Sequence, residues 1–133
     1  MKKRKSARRD PTGGGSVFVV DDNIMLAEFA ARVLEAAGFT VVHFSDPQAV
    51  LRAINEADPK PAVLVTDYEM GKMNGLELIH SLQKVHPALK TVLLSGTVDG
   101  SILLNHPARV NRFLGKPYEP VQLQKVVAEL LRT

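Results

Sequence analysis

Polar side chains follow the short apolar runs of this sequence, at the positions where the runs end. The first run ends in Asp21 and Asp22, and the third run ends in Asp67. The fourth ends in the hydroxyl of Ser95, and the fifth leads into Lys116. Three clustered carboxylates attract a hard divalent cation with oxygen ligands, Mg²⁺ above all. A carboxylate beside such a cation can attack phosphorus as a nucleophile. The residue types therefore indicate phosphoryl-transfer chemistry.

The other two groups suit the same chemistry. A lysine and a metal ion can neutralise the charge that builds on phosphoryl oxygens, which is the assignment we give to Lys116. The hydroxyl of Ser95 can donate a hydrogen bond to one of those oxygens.

Each of these residues has a simpler interpretation when it is taken alone. Asp21 and Asp22 could cap the helix that follows them. Asp67 and Ser95 could be turn residues, and Lys116 could be a solvated surface cation. Their joint placement at four separate strand ends favours a common site.

The elements that must position these residues alternate between strand and helix five times. The strands are continuous apolar runs, which is typical of a parallel sheet that is covered by helices on both faces. Right-handed crossovers then give a doubly wound α/β domain, in which ligands bind beyond the carboxyl ends of the strands. The predicted strands are 16–21, 39–44, 62–67, 91–95 and 110–114.

Two helices carry specific expectations. In the first, over 24–37, the apolar residues Leu26, Phe29 and Ala30 recur at the spacing of one helix face. The fourth helix should be short, over roughly 98–104, because Pro107 interrupts the pattern soon afterwards.

The composition indicates one domain of 133 residues, without cysteine and therefore without disulfides or thiolate metal sites. No apolar run approaches the ~20 residues that cross a bilayer, so we expect a cytoplasmic protein without membrane insertion. Residues 1–15 hold six Lys or Arg and one Asp, a charge of +5, which leaves −2 of the total +3 for the remainder. We expect a flexible basic tail or linker over 1–15 and a folded domain over 16–133.

Two other kinds of site have little support. The basic tail could touch nucleic acid, but the folded part is net negative and carries no recognition motif, so nucleic acid is not expected as a partner. The turn after the first strand is Asp21-Asp22, which repels phosphate unless a metal intervenes, and this argues against a flavin or nucleotide cradle. The four histidines show no metal-ligand spacing.

The chain resembles the receiver domains of response regulators in two-component signalling, over about 16–133. The resemblance rests on the motifs VFVVDDN, VLVTDYEM followed by NG, LLSG and FLGKP. It implies a (βα)5 flavodoxin-like fold with strand order 2-1-3-4-5. It also implies a cis bond between Lys116 and Pro117.

The resemblance further assigns roles within the site. Asp67 would be phosphorylated by a histidine kinase or a histidine phosphotransfer protein. Asp22, Asp67 and the backbone carbonyl of Glu69 would hold Mg²⁺, with Asp21 assisting. Lys116 would contact the phosphoryl group. Such a domain is a phosphoacceptor switch with weak self-dephosphorylation rather than an enzyme.

The switch itself would begin at Ser95, which moves toward the phosphoryl group, and the ring of Phe113 would turn inward to fill the vacated space. The face formed by the fourth helix, the fifth strand and the last helix (the α4-β5-α5 face of the family) would then change, and a downstream protein would bind it. Phe113 could equally be an ordinary core residue. Glu69 and Thr97 flank the site and would set the lifetime of the phosphate.

Two departures from the family pattern matter. Gly71 stands where proline is common, and Arg109-Val110 stands where a small Gly-Ala pair is usual. The output surface should therefore differ from that of other members. The alternative function is a degenerate receiver that acts as a phosphorylation-independent protein-interaction module, although the full set of acids, hydroxyl and lysine argues against it.

Overall fold

A computed structural model of the chain describes residues 16–97 and 100–132. Its centre is a five-stranded parallel sheet in the order β2-β1-β3-β4-β5, which confirms the predicted doubly wound topology. The strands are β1 (Val17–Val20), β2 (Val41–Phe44), β3 (Val63–Asp67), β4 (Lys90–Ser95) and β5 (Arg112–Gly115). The α-helices are α1 (Ile24–Ala36), α2 (Pro47–Glu56), α3 (Gly75–Val85) and α4 (Pro120–Leu131).

The sheet separates two apolar clusters. Alternate residues of β1 point to opposite faces, so that Val17 and Val19 join one cluster while Phe18 and Val20 join the other. The first cluster is closed by α1 and α4, and the second, which we call the α3-side cluster, is closed by α2 and α3. A fully buried Leu or Val side chain contributes roughly 1.5–3 kcal/mol, so both layers hold the strand ends firmly in place.

Side-chain caps fix where three helices begin. The side chain of Asn23 accepts hydrogen bonds from two backbone N–H groups of α1, and Asp46 caps α2 in front of Pro47. Asn74 and Glu77 form a reciprocal capping box at α3. Each cap comes shortly after a strand end, so the helix starts lie at the same sheet edge as the polar residues.

The burial of the outer strands differs from the sequence expectation. The central strands β1 and β3 are wholly buried, as their apolar runs predict, whereas β2 and β5 are partly exposed. The reason is that β2 and β5 each pair with a single neighbour at an edge of the sheet.

The apolar face of α1 is partly exposed at its beginning. Leu26 is 44% exposed and Phe29 is 48% exposed, whereas Ala30 is buried. The two exposed residues face the loop after β5 instead of the sheet, and the ring centroid of Phe29 lies 6.5 Å from that of Tyr118.

The predicted fourth α-helix is also corrected. Within the described residues, the connection from β4 to β5 contains only a 3₁₀ helix, Gly100–Leu103. Residues 98 and 99 and the basic tail 1–15 lie outside the described residues. None of the helices in the described part is long and apolar enough to cross a membrane.

Candidate functional site

The end of β1 places two acids at the carboxyl edge of the sheet. Asp21 is buried at 5% exposure, and its Oδ1 accepts a hydrogen bond of 2.9 Å from the backbone N–H of Asn23. Asp22 is exposed. Because Asn23 also caps α1, one short turn both starts the helix and orients the carboxylate of Asp21. The alternative of Asp21 and Asp22 as the helix caps is therefore wrong.

The end of β3 brings Asp67 to the same edge, at 7% exposure. The following loop folds tightly beneath it, since the N–H of Gly75 donates to the carbonyl of Tyr68 at 2.8 Å. A Cβ atom on Gly75 would lie 2.5 Å from the carbonyl oxygen of Asp67 and 2.8 Å from Cδ1 of Leu93. Only glycine therefore fits at position 75, the start of α3. Earlier in the same loop, Gly71 has a φ of 81°, a backbone conformation that also favours glycine.

Lys116 joins the two buried acids. Its Nζ lies 2.7 Å from Oδ1 of Asp67 and 3.2 Å from Oδ2 of Asp21. Its backbone N–H donates to the carbonyl of Ser95 at 2.8 Å, so the loop after β5 is fastened to the end of β4. The peptide bond between Lys116 and Pro117 is cis, as the resemblance implies.

The pKa values of Asp67 and Lys116 are both raised. Burial raises the pKa of Asp67, the charges of Asp21 and Asp22 raise it further, and the contact with Lys116 only partly opposes them. Burial acts to lower the pKa of Lys116, but its hydrogen bonds and ion pairs with Asp67 and Asp21 outweigh that effect and raise it. Burial thus leads the upward shift of the Asp67 pKa, whereas the contacts with Asp67 and Asp21 produce the upward shift of the Lys116 pKa.

The cluster holds three carboxylates and one ammonium group, and this excess of negative charge suits a cation. Carboxylate oxygens of Asp21, Asp22 and Asp67 all lie within 4.8 Å of one another. Carboxylates are the hard oxygen ligands that Mg²⁺ prefers, and it usually takes one or two of them besides water and phosphate oxygens. The residues present therefore fit the ion. No described contact concerns the backbone carbonyl of Glu69, so its part as a ligand stays a prediction.

A second pair of loops meets beside Asp67. Ser95 is buried at 2% exposure, and its Oγ accepts a hydrogen bond of 3.3 Å from the backbone N–H of Thr97. The hydroxyl of Thr97 donates to Oε2 of Glu69 at 2.5 Å. Thr97 and Glu69 thus link the loops after β4 and β3. These are the two residues that we expect to set the lifetime of the phosphate.

Phe113 lies on β5. It is opposite Leu93 in the pairing of β4 with β5, and it packs, partly buried, against the α3-side cluster. This position is compatible both with a switch and with ordinary core packing, so its role stays a prediction.

A cavity next to the acids was not predicted. It has a volume of about 360 Å³, and Asp21 and Lys116 form part of its wall. Leu26, Phe29 and Tyr118 supply much of its apolar lining, and burial raises the pKa of the Tyr118 hydroxyl. The available signal in the sequence was the aromatic residue two positions after Lys116.

The fold and this site together define a class of doubly wound α/β domain that gathers acids, a hydroxyl and a lysine at the carboxyl edge of its sheet. A family model described as "Response regulator receiver domain" matches residues 17–128. The chain belongs to the response regulator receiver domain family. Receiver domains of two-component systems are phosphoacceptor switches, and they typically bind Mg²⁺ through acidic residues.

Individual relatives and structures agree with this assignment. The chain is 29% identical to the sensor kinase CckA of Brucella abortus, over 97% of this chain and 14% of the kinase. It is 26% identical to the response regulator receiver protein CpdR of the same organism, over 86% of this chain and 92% of that protein. The receiver domain of NtrX from Brucella abortus superposes with a TM-score of 0.76 at 27% identity, over 89% and 99% of the two chains.

The matched relatives differ greatly in length. The chain spans 14% of the sensor kinase and 18% of the DNA-binding transcriptional regulator NtrC of Escherichia coli, to which it is 34% identical over 64% of its own length.

A receiver domain structure from Clostridium thermocellum, with a TM-score of 0.79 at 24% identity over 88% and 94% of the two chains, supports the fold.

Proposed function

We propose that Asp67 accepts a phosphoryl group from a histidine kinase or a histidine phosphotransfer protein. The observation that carries this proposal is the position of Lys116, whose Nζ lies 2.7 Å from Oδ1 of Asp67 and 3.2 Å from Oδ2 of Asp21. A buried carboxylate beside an ammonium group and two further acids can be both a nucleophile and part of a cation site. Membership of the receiver family supports the same role.

The transfer is a displacement at phosphorus. A carboxylate oxygen of Asp67 forms the new bond to phosphorus as the bond to the donor's imidazole nitrogen breaks, and that nitrogen keeps the electron pair. Lys116, already within hydrogen-bond distance of Asp67, stabilises the negative charge on the phosphoryl oxygens. Asp21 holds the ammonium from its other side.

The proposed cofactor is Mg²⁺, held by Asp22 and Asp67 with the assistance of Asp21 and the backbone carbonyl of Glu69. When bound, the ion neutralises charge on the phosphoryl oxygens and offsets the repulsion among the carboxylates. The grouping of the three carboxylates within 4.8 Å supports this assignment.

The signal leaves the site through Ser95 and Phe113. The hydroxyl of Ser95 moves to donate to a phosphoryl oxygen, and the ring of Phe113 turns inward. The surface around β5 then changes and a downstream protein binds it. Glu69 and Thr97, which share a hydrogen bond beside the site, set the rate of slow self-dephosphorylation.

The names of the relatives support partners of this kind. One relative is a sensor kinase that contains a matching segment, and another is a receiver protein of which the chain covers 92%. We infer that the chain receives its phosphoryl group from a kinase or phosphotransfer protein and passes the signal on through protein contacts.

The test is labelling by a small phosphodonor such as acetyl phosphate, followed by mass spectrometry of the intact protein. The wild type with Mg²⁺ should gain one phosphoryl group, and the chelator EDTA should prevent the gain. The Asp67→Asn variant should remain unmodified. The Glu56→Gln variant, which changes an exposed acid on α2, should be labelled like the wild type. A wild type that stays unlabelled with donor and metal would favour the phosphorylation-independent interaction module.

A further inference from the structure

Gln83 on α3 makes an unusual pair of contacts with the segment before β5. Its Nε2 donates to the backbone carbonyl of Arg109 at 2.8 Å, and its Oε1 accepts from the backbone N–H of Arg109 at 3.0 Å. The side-chain amide thus satisfies both backbone groups of one residue, as a neighbouring strand would. These two bonds connect positions 26 residues apart in sequence.

Other groups converge on the same residue. The hydroxyl of Thr91 donates to the carbonyl of Arg109 at 2.7 Å. The guanidinium of Arg109 donates to the carbonyls of Pro87 and Leu89, between α3 and β4. We call Gln83, Thr91 and Arg109 together the Arg109 tether. It fixes the segment before β5 to α3, to the start of β4 and to the loop between them.

The tethered segment lies over the same core layer as the proposed switch residue. Leu103, Ala108 and Val110 pack against the α3-side cluster, and so does Phe113. In the described residues, this segment has one 3₁₀ turn and otherwise no regular structure up to β5. Its position therefore depends on side-chain hydrogen bonds instead of a helical backbone.

We propose that Gln83 is a positioning residue that holds this segment in the resting arrangement and so restrains the switch. The inference rests on the proposed function, because it concerns how the phosphorylated site drives Phe113. When the ring of Phe113 turns inward, it leaves its packing against this cluster, and in a close-packed layer the neighbouring segment shifts with it. A contact made only in the resting state biases the equilibrium toward that state.

The test uses beryllofluoride with Mg²⁺ as a mimic of the phosphoryl group, titrated into the whole chain and followed by calorimetry. Gln83→Ala should bind about fivefold more tightly than the wild type, because a net hydrogen-bond contribution to the resting state is lost. Gln124→Ala is the matched control, since Gln124 on α4 donates a similar bond of 2.8 Å to the carbonyl of Val33. It should bind like the wild type.

A second measurement separates positioning from simple structural support. Hydrogen exchange at the amide of Arg109 should accelerate in the wild type when beryllofluoride binds, and it should be fast in Gln83→Ala with or without the ligand. Equal or weaker binding by Gln83→Ala, or an Arg109 amide indifferent to the ligand, would overturn the inference while leaving the proposed function intact. A wild type that does not bind beryllofluoride at all would overturn both.

Discussion

The carboxyl edge of the sheet and the connection from β4 to β5 are built on different principles. At the edge, Asp21, Asp67 and Ser95 are placed by the ends of buried strands, and Lys116 reaches two of them directly. In the connection, a single residue, Arg109, is held by side-chain hydrogen bonds to its backbone.

The difference shows what each region can do. Strand ends in a packed sheet are rigid, so the edge can hold like charges close together in a strained electrostatic arrangement. A segment held by a few hydrogen bonds can be released at a modest cost in free energy, because each bond contributes about 1 kcal/mol net. The first region suits chemistry, and the second suits a change of shape.

The largest effect is expected at Lys116. Lys116→Ala should slow labelling by a small phosphodonor by about 100-fold, because the group that stabilises charge on the phosphoryl oxygens is lost. The initial rate is measured by mass spectrometry at saturating Mg²⁺. Lys125→Ala, which removes an exposed lysine on α4, should leave that rate unchanged. A Lys116→Ala variant as fast as the wild type would show that the edge does not work through its lysine.

The next largest effect is a loss of stability at Gly75, which lies against the carbonyl of Asp67. Gly75→Ala should lower the free energy of unfolding by about 2–3 kcal/mol, because the new methyl group would clash with the carbonyl of Asp67 and with Leu93. Gly71→Ala is the matched control, since its φ of 81° disfavours alanine but nothing lies within 4 Å of the new atom. It should cost about 1 kcal/mol in urea denaturation. The opposite order would contradict the tight approach of α3 to Asp67.

Removing the negative charge of Asp67 should increase the stability of the folded protein. Because the pKa of Asp67 is raised in the folded protein, the folded state binds its proton more readily than the unfolded chain does. The resulting stability is present below the unfolded pKa and is lost as the pH rises through the folded pKa. At pH 7 without Mg²⁺, Asp67→Asn should therefore be more stable than the wild type, by about 1 kcal/mol.

This gain should shrink as the pH falls through the pKa of Asp67, because the wild-type carboxyl group then becomes neutral as well. Added Mg²⁺ should raise the Tm of the wild type more than that of the variant. Melting curves in a series of buffers measure both effects. An Asp67→Asn variant less stable than the wild type at neutral pH would mean that the contact with Lys116 outweighs the repulsion.

The smallest effect is expected at the guanidinium of Arg109. Arg109→Ala removes the bonds to two backbone carbonyls but keeps the backbone groups that pair with Gln83. The free energy of unfolding should fall by about 0.5–1 kcal/mol. Urea denaturation measures this change. An Arg109→Ala variant as stable as the wild type would show that the guanidinium does not help to hold the segment before β5.

The sequence predicted the edge far better than the connection. Buried parallel strands are continuous apolar runs, so the residues that end them can be located, and the topology then brings Asp21, Asp67, Ser95 and Lys116 together. Helical periodicity shows which residues share a face but not what that face meets, so the position of Leu26 and Phe29 at the cavity could not be predicted.

The tether could not be predicted for a related reason. Gln83 and Arg109 are common surface residue types, and nothing local to either position indicates a partner 26 residues away. The fourth helix was expected to be short, and in the described residues its place is taken by a 3₁₀ helix, Gly100–Leu103.

The contacts of Lys116 also have a mechanical consequence. One residue of the loop after β5 is bonded to the ends of β1, β3 and β4, so four of the five strands are cross-braced at the carboxyl edge. Sliding of one of these four strands past another must break at least one of the bonds that Lys116 makes. The loop after β5 therefore acts as a clasp that keeps the strand ends in register at the edge that carries the acids.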